Sequence, residues 1–347
     1  MTKRESRYVT VARIAYHLAQ EVLPRYSHPK SPHRYTLPQL AACVLLTFYL
    51  RLSYRDMEEW LLATDKVCDV LELKRVPDHT TLSRAFKRLL RMKVLEQMQR
   101  KLLDEVGVEE EVIAFDSTGY VTTQASAYYR SRTGRTLREF QKGAYAVGIC
   151  SQFILAWRQE PGPGNDSVFL NGLRREARRY ARKGCWVVLA DAGFDGRGVT
   201  ERDLIPPIRR GGNLVGPERI ARAELVAAAR LDGLYGQRWK AETVNSVIKR
   251  KFGDAIRSRL MVLQNREPAV RDWSTISLVS SQQTCLSLQH SKITTYRSRS
   301  LSFFMQQFYS KLRKVSRYAR MSLLQGSNHS FRASHCPCFF SALSQSG

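Results

Sequence analysis

The residues best placed to do chemistry form one spaced motif: Tyr235, Arg238, Glu242 and Lys249. Because an α-helix advances about 100° per residue, these positions fall at roughly 0°, 300°, 340° and 320° around a helix axis. Their side chains would then share an arc of about 60° on one helix face. A carboxylate beside two cations and a phenol suits metal-assisted chemistry on a phosphodiester, provided that further carboxylates lie nearby.

Two aspartates could supply those carboxylates. Asp116 and Asp191 each directly follow an apolar run, which predicts that both stand at strand ends, where the ligand crevices of open α/β sheets lie. Gly119 and Gly193 would permit tight turns and the close approach of a phosphate backbone. If Glu242 crosses the same edge, the three carboxylates could hold two divalent ions about 4 Å apart. Mg²⁺ (or Mn²⁺) prefers such oxygen ligands.

Each of these residues also has an ordinary structural explanation. A strand-end aspartate often forms a turn or caps a helix. Glu242 and Arg238, four residues apart, could be a surface ion pair that contributes little to stability. Asp195 is better explained as a turn residue or a supporting carboxylate. The conjunction of three acids in the expected elements favours the catalytic interpretation.

The elements that must position these residues are predicted from hydrophobic periodicity. Short apolar runs predict strands at 112–115, 145–150, 153–157 and 185–190, with a short edge strand at 204–208 that contains two prolines. Helical spacing predicts helices at 165–183, 218–234 and 235–253. This order predicts an α/β fold in which a mixed sheet is flanked by helices.

The residues before the sheet predict an all-α region of short helices. Thr36 followed by Gln39 predicts a capping box before an apolar helix over 40–50. Thr80 or Thr81 could cap a later, basic helix. Short helices that end in a basic helix resemble a helix-turn-helix.

Two groups of basic residues are candidate DNA contacts. Arg84, Lys87 and Arg88 form a cationic stripe on the last of the short helices. Arg130 and Arg132 lie among aromatic residues after the first predicted strand and could belong to a DNA-gripping loop or hairpin. The alternatives are a helical bundle with a solvated cationic face and a solvated basic loop.

The net charge of +25 on 347 residues indicates an anionic partner, either nucleic acid or a membrane surface. The longest apolar run, 40–50, is about half of the ~20 residues that cross a bilayer, so we expect no membrane partner. The first ten residues hold no apolar signal core, which predicts a cytoplasmic protein. The seven cysteines form no C-x2-C pair, and we expect reduced thiols.

The last 75 residues, 273–347, contain no Asp or Glu, whereas all 31 acids lie upstream. They also hold 18 serines. One explanation is a disordered basic tail that binds nucleic acid. The other is translation in a shifted reading frame, which the many Phe, Leu and Cys residues favour.

Taken together, the motifs resemble the DDE transposases of bacterial and archaeal insertion sequences. The resemblance rests on Tyr-x2-Arg-x3-Glu-x6-Lys, Asp-Ser-Thr, Asp-Ala-Gly-Phe-Asp and the segment Pro-Asp-His-Thr-Thr-Leu-Ser-Arg, and covers roughly residues 36–265. It implies a ribonuclease-H-like core with Asp116, Asp191 and Glu242 as the acidic triad. From Trp273 onward the sequence departs from the apolar helical continuation that family members usually have.

The resemblance further implies that Tyr235, Arg238 and Lys249 contact DNA phosphates near a transposon end. It predicts a transposase that cuts and joins insertion-sequence ends, with terminal inverted repeats and target DNA as double-stranded partners. We expect it to act as a homo-oligomer at the nucleoid. The rival functions are a decayed, inactive copy that only binds DNA and a related metal-dependent nuclease.

These expectations divide the chain into four parts. They are a basic N-terminal segment (1–35), a helical DNA-binding region (36–108), a ribonuclease-H-like catalytic domain (109–265) and an atypical basic, Ser-rich tail (266–347).

Overall fold

The computed structural model describes residues 5–122, 132, 140–162, 164–184, 186–201, 203–209, 211 and 213–274. Within these residues the N-terminal region is all-α. Its helices are α1 (Arg7–Val22), α2 (Leu37–Leu50), α3 (Tyr54–Leu62), α4 (Asp65–Val70), α5 (His79–Leu89) and α6 (Met92–Val106). The apolar helix α2 is buried along most of its length and packs against α1 and α5, which makes it the centre of this region.

Capping interactions define where two of these helices begin. The Gln39 N–H donates to the Thr36 hydroxyl at 3.3 Å and the Thr36 N–H donates to the Gln39 side chain at 2.8 Å, so the predicted capping box is confirmed. At α5 the cap is Asp78, whose carboxylate accepts the N–H groups of Thr80 and Thr81 at 3.0 and 2.9 Å. The prediction that Thr80 or Thr81 caps this helix is wrong, because both hydroxyls donate to the Asp78 carboxylate.

The second region is built on a mixed sheet of five described strands, β1 (Val112–Val121), β2 (Phe140–Gly148), β3 (Ile154–Pro161), β4 (Val187–Leu189) and β5 (Asp203–Leu204). Their order in the sheet is β3-β2-β1-β4-β5. β1 pairs antiparallel with β2 and β2 with β3, whereas β4 lies parallel to β1 and β5 parallel to β4. This topology confirms the predicted α/β, ribonuclease-H-like fold class.

Helices cover this sheet and lead away from its strand ends. The helix α9 (Trp239–Phe252) packs across β1 and β2, and α7 (Leu170–Ala177) packs against β3 and β2. The helices of this region are α7 (Leu170–Ala177), α8 (Pro217–Leu231), α9 (Trp239–Phe252) and α10 (Met261–Gln264).

Three predicted elements are shorter or less regular than expected. The helix predicted over 165–183 is α-helical only in α7, because the chain at Ala181 pairs with Glu110 and leaves the helix. The predicted edge strand 204–208 is reduced to β5, since Pro206 and Pro207 have no N–H to donate. The helix predicted over 235–253 begins as a 3₁₀ turn before α9.

Residues 266–274 are helical and close the core beside the loop that follows α9. The buried Glu267 carboxylate accepts the N–H groups of Arg257 and Ser258, the latter at 2.8 Å, and pairs with Arg271 at 2.6 Å. Arg271 also donates to two backbone carbonyls of the same loop. This buried ion pair therefore holds the chain in place after α9.

The start of the predicted tail therefore lies in packed structure. Trp273, at 0% exposure, belongs to the core. Residues 275–347 lie outside the described residues, and the boundary at 266 stays a prediction.

No single helix among the described residues is both long and apolar enough to cross a membrane; α2 and α3 reach that length only as a pair bent by 106°. Within the described part of the chain, Cys43, Cys68 and Cys150 form no disulfide with one another.

We predict that Glu267→Ala lowers the free energy of unfolding by about 3–5 kcal/mol, because the change leaves the Arg271 charge buried without its carboxylate. Urea unfolding followed by circular dichroism measures the loss. The control is Asp104→Ala, which breaks a pair with Arg179 whose side chains are 42% and 56% exposed. That change should cost at most about 1 kcal/mol. Equal small losses in both variants would mean that residues 266–274 do not close the core.

Candidate active site

Asp116 lies inside β1 and not at its end. The pairing of β1 with parallel β4 stops at Ala114 and Leu189, whereas its antiparallel pairing with β2 continues beyond Asp116. The prediction that the strand ends here is therefore wrong. What ends is the burial: residues 112–115 are buried and 116–118 are partly exposed. Asp116 thus stands at the step where β4 stops beside a longer strand.

Asp191 reaches the same edge from the neighbouring strand. Asp116 and Asp191 each lie two residues beyond the last β1–β4 pair, and adjacent strands are about 4.8 Å apart. Asp191 Oδ1 accepts the Gly193 N–H at 2.9 Å and caps a 3₁₀ turn, Ala192–Phe194. The two aspartates therefore occupy equivalent positions beyond the paired residues of adjacent strands. Asp191 also has the capping role that was its alternative explanation.

Gly193 lies in a crowded place at this edge. A Cβ at this position would lie 2.7 Å from Asp166 Oδ2 and 3.0 Å from Asp191 Oδ1, so a larger residue would need these carboxylates to shift. Asp166 itself pairs with Lys142 at 2.6 Å. Gly119, by contrast, lies within β1, so the turn that was predicted there does not form.

The 3₁₀ turn Tyr235–Arg238 and the first turns of α9 bring the motif residues over the strand ends. The Tyr235 hydroxyl donates to the Ala190 carbonyl at 3.0 Å, which ties this turn to the end of β4. Arg238 Nη1 lies 3.8 Å from Asp116 Oδ1, and Arg238 Nη2 contacts Glu242 Oε1. One guanidinium therefore bridges two of the three predicted catalytic carboxylates.

The four motif residues do not lie on one regular α-helix, because Tyr235–Arg238 form a 3₁₀ turn. Tyr235 and Arg238 nevertheless face the same way. In a 3₁₀ turn the side chains at i and i+3 eclipse, which aligns Tyr235 with Arg238. Lys249 lies about 10 Å further along α9 than Glu242. Its ammonium is 5.9 Å from the centre of the Tyr120 ring. The structure thus joins Arg238 and Glu242 to Asp116 but leaves Lys249 apart from the carboxylates.

Asn245 is a site residue that our sequence reasoning missed. Its Nδ2 donates to Asp116 Oδ2 at 2.8 Å, and the residue is 5% exposed. A signal for it did exist, because position 245 falls at roughly 280° on the helical projection, close to Arg238 at roughly 300°.

The environment of Asp116 acts on its charge in opposite directions. Burial raises the pKa of Asp116 above its ordinary value. The hydrogen bond from Asn245, the Ser117 N–H and the positive charge of Arg238 oppose this rise. Burial likewise raises the pKa of Tyr235, against the nearby charges of Arg238 and Arg230. Asp116 is therefore a carboxylate whose ionised form burial disfavours and whose neighbours offset that effect only in part.

Asp195 supports the loop that carries Asp191. Its side chain is 5% exposed and pairs with Arg219 at 2.9 Å and Arg222 at 2.5 Å, both on α8. It also accepts the Ile208 N–H at 2.8 Å. These contacts agree with the second of the two roles that the sequence suggested for Asp195, a supporting carboxylate.

The predicted DNA contacts lie in separate places. Arg84, Lys87 and Arg88 are exposed on α5, whose opposite face is buried in the helical region. Arg132 is exposed, and Arg130 lies outside the described residues. The cationic stripe on α5 is thus available for contact with an anionic partner.

The predicted metal ligands come together only in part. Among the residues that the structure describes, no three His, Cys, Asp or Glu side chains are grouped closely enough to hold one ion. Asp116 and Glu242 nevertheless converge on a single cation, the Arg238 guanidinium. Their oxygen atoms, with Asp191 at the neighbouring strand end, are the donors that Mg²⁺ and Mn²⁺ prefer, so the residues present fit such an ion by their chemistry.

Comparison with known proteins adds an independent finding. Residues 108–264 match the family model of the transposase DDE domain. No curated protein matches the chain.

Two solved structures are similar at low identity. One is a cryo-EM structure of the piggyBac transposase synaptic complex with hairpin DNA, at 10% identity and a TM-score of 0.42 over 90% of this chain and 79% of that one. The other is a crystal structure of the Mos1 strand transfer complex, at 12% identity and a TM-score of 0.19 over 81% of this chain and 98% of that one. These TM-scores are too low to add to the assignment, which rests on the family match and on the motifs themselves. Residues 108–264 thus match the transposase DDE domain, and this matched segment contains Asp116, Asp191 and Glu242.

Proposed function

We propose that this chain is a DDE transposase that cleaves DNA strands at the ends of an insertion sequence and joins them to target DNA. The observation that carries the proposal is the Arg238 guanidinium that bridges Asp116 and Glu242 beside the Asp191 strand end. It supports a site in which carboxylates from a strand and a helix converge on one positive charge. The match to the transposase DDE domain family surrounds all of these residues.

Asp116, Asp191 and Glu242 would hold Mg²⁺ or Mn²⁺ in this site. When bound, such an ion activates a water or a 3′-hydroxyl for attack on a phosphodiester and stabilises the leaving oxygen. Two features of the chain's own residues support this assignment. The partial burial of Asp116 strengthens its attraction to a cation. Glu242, whose side chain is 50% exposed, stands at the open side of the site where a DNA strand can enter.

The remaining motif residues would position the DNA backbone. Arg238 keeps a partly exposed side chain and can exchange a carboxylate for a phosphate oxygen, to which a guanidinium binds in two-point geometry. Tyr235 holds the 3₁₀ turn against the end of β4 and so fixes the backbone position from which the Arg238 side chain extends. Lys249, further along α9, would bind a phosphate at a distance from the cleaved bond.

The N-terminal helices would recognise the transposon end. The exposed cations of α5 supply the phosphate contacts, and the net charge of +25 attracts DNA over a longer range. Arg130 and Arg132 are proposed as further DNA contacts. The partners would be terminal inverted repeats and target DNA, bound by a homo-oligomer in the cytoplasm at the nucleoid.

One observation favours a second candidate, a decayed copy that binds DNA without cutting it. Residues 273–347 lack every acidic residue, as a shifted reading frame would produce. The nucleotide sequence after codon 270 tests this directly, because another frame with ordinary acid content would establish the shift. A third candidate, a related metal-dependent nuclease, is distinguished from a transposase by a strand-transfer assay, because a nuclease would not join pre-cut ends to target DNA.

We predict that Asp116→Asn and Glu242→Gln each abolish nicking of a plasmid that carries the sequences flanking the gene. Both changes keep the size of the side chain and remove one charge from the site. Binding to the same DNA should remain largely intact in a gel-shift assay.

The control for this experiment is Glu218→Gln, the same change at an exposed position of α8. It should nick as the wild type does. If both site variants nick the plasmid as well as the wild type does, the Asp116 and Glu242 carboxylates take no part in cleavage.

We predict that changing Arg84, Lys87 and Arg88 together to Ala flattens the salt dependence of DNA binding. Each lost phosphate contact reduces the slope of log K against log[salt] by about 0.9, so the triple variant should lose up to about 2.7. Fluorescence anisotropy over a range of NaCl concentrations measures the slope.

The matched control removes the same charge from cations that are paired with carboxylates, namely Arg13, Lys101 and Arg179. Their neighbours already neutralise them, so the slope should change little. Equal slopes for the two triple variants would show that α5 makes no special contact with DNA.

A further inference from the structure

Asn245 holds a position that packing alone does not explain. It lies on α9 one turn after Glu242 and is 5% exposed. The neighbouring inward positions, Ala241, Val244 and Ile248, are apolar and buried. Asn is a poorer helix former than the apolar residues that could fill the same place. Apolar packing therefore does not explain a buried amide at this position, and a polar contact must.

The hydrogen bonds of Asn245 identify this polar contact. Its Nδ2 donates to Asp116 Oδ2 at 2.8 Å. Its Oδ1 is buried and accepts no hydrogen bond from any residue that the structure describes. An unsatisfied buried acceptor is costly, and natural proteins retain few of them. Asn245 thus binds Asp116 Oδ2 through its Nδ2, while its own Oδ1 stays without a hydrogen bond from the described residues.

The two oxygen atoms of Asp116 face different partners. Oδ1 faces Arg238, at 3.8 Å, and Oδ2 accepts from Asn245. The hydrogen bond from Asn245 favours one orientation of this carboxylate. With Oδ2 on Asn245, Oδ1 is the oxygen atom that faces Arg238.

We propose that Asn245 is a positioning residue that orients the Asp116 carboxylate for the divalent ion of the site. The inference rests on the proposed function, because it assumes that Asp116 binds that ion. It gives Asn245 no contact with DNA and no part in the bonds that change. Partners that orient a metal-binding carboxylate typically contribute about 10–100-fold to metal affinity.

The test is Mn²⁺ binding by the full chain without DNA, with unbound Mn²⁺ measured by electron paramagnetic resonance. Asn245→Ala and Asn245→Leu, two apolar variants of different size, should each weaken Mn²⁺ affinity by about tenfold or more. Asn245→Ser keeps a donor and should lie between Asn245→Ala and the wild type. The Mn²⁺ concentration that gives half-maximal nicking should rise in parallel, while DNA binding is unchanged.

Gln99→Ala is the matched control. Gln99 is another buried amide, at 4% exposure, and donates to the Ile154 carbonyl away from the site. This variant should bind Mn²⁺ as the wild type does, even if its melting temperature falls.

The outcomes separate the two proposals. Wild-type chain that binds no Mn²⁺ overturns the metal-dependent function and the role of Asn245 with it. Wild-type binding that is equalled by Asn245→Ala, Asn245→Leu and Asn245→Ser overturns the positioning role alone. A loss of affinity in Gln99→Ala as large as in Asn245→Ala would also overturn it, because the effect would then reflect general loosening of the fold.

Discussion

The site depends on one electrostatic constraint: Asp116 is a largely buried carboxylate that needs positive charge and hydrogen-bond donors beside it. Burial disfavours its ionised form, and the segment from Arg238 to Asn245 supplies what opposes that effect. Arg238 provides charge to one oxygen and Asn245 a hydrogen bond to the other. The position of α9 across β1 and β2 follows from this requirement as well as from its apolar face. Glu242 reaches the site because it lies between those two residues on the same segment.

Sequence reasoning predicted the fold class and the shared face of Arg238 and Glu242, because both depend on local patterns. Apolar runs marked the buried strands, and the spacing of Arg238 and Glu242 marked a shared face. It failed where the outcome depended on a distant partner. β1 continues past Asp116 because β2 pairs with it there, which the apolar run alone does not reveal. Asn245 was missed because a single amide in a helix shows its purpose only when its acceptor, 129 residues away, is known.

The helical region and the sheet are joined at the end of α9, which relates the α5 cations to the sheet edge that carries Asp116. The Lys251 ammonium lies 3.6 Å from the centre of the Tyr49 ring on α2. Arg257 donates to the Arg51 carbonyl at 2.8 Å, and Arg266 donates to the Lys87 carbonyl at 2.8 Å. The last of these contacts reaches the backbone of α5 itself. The exposed stripe on α5 is therefore held at a fixed place relative to the carboxylates, through the same loop that Glu267 secures.

The shortness of β5 has a consequence for how copies of this chain can meet. An outer strand with unpaired N–H and C=O groups invites a strand from another molecule to add to it, which leads to aggregation. Here the outer strand is two residues long and is followed by Pro206 and Pro207, which have no N–H to offer. Strand addition is thereby blocked on this flank of the sheet, and self-association through it would have to use side chains rather than backbone.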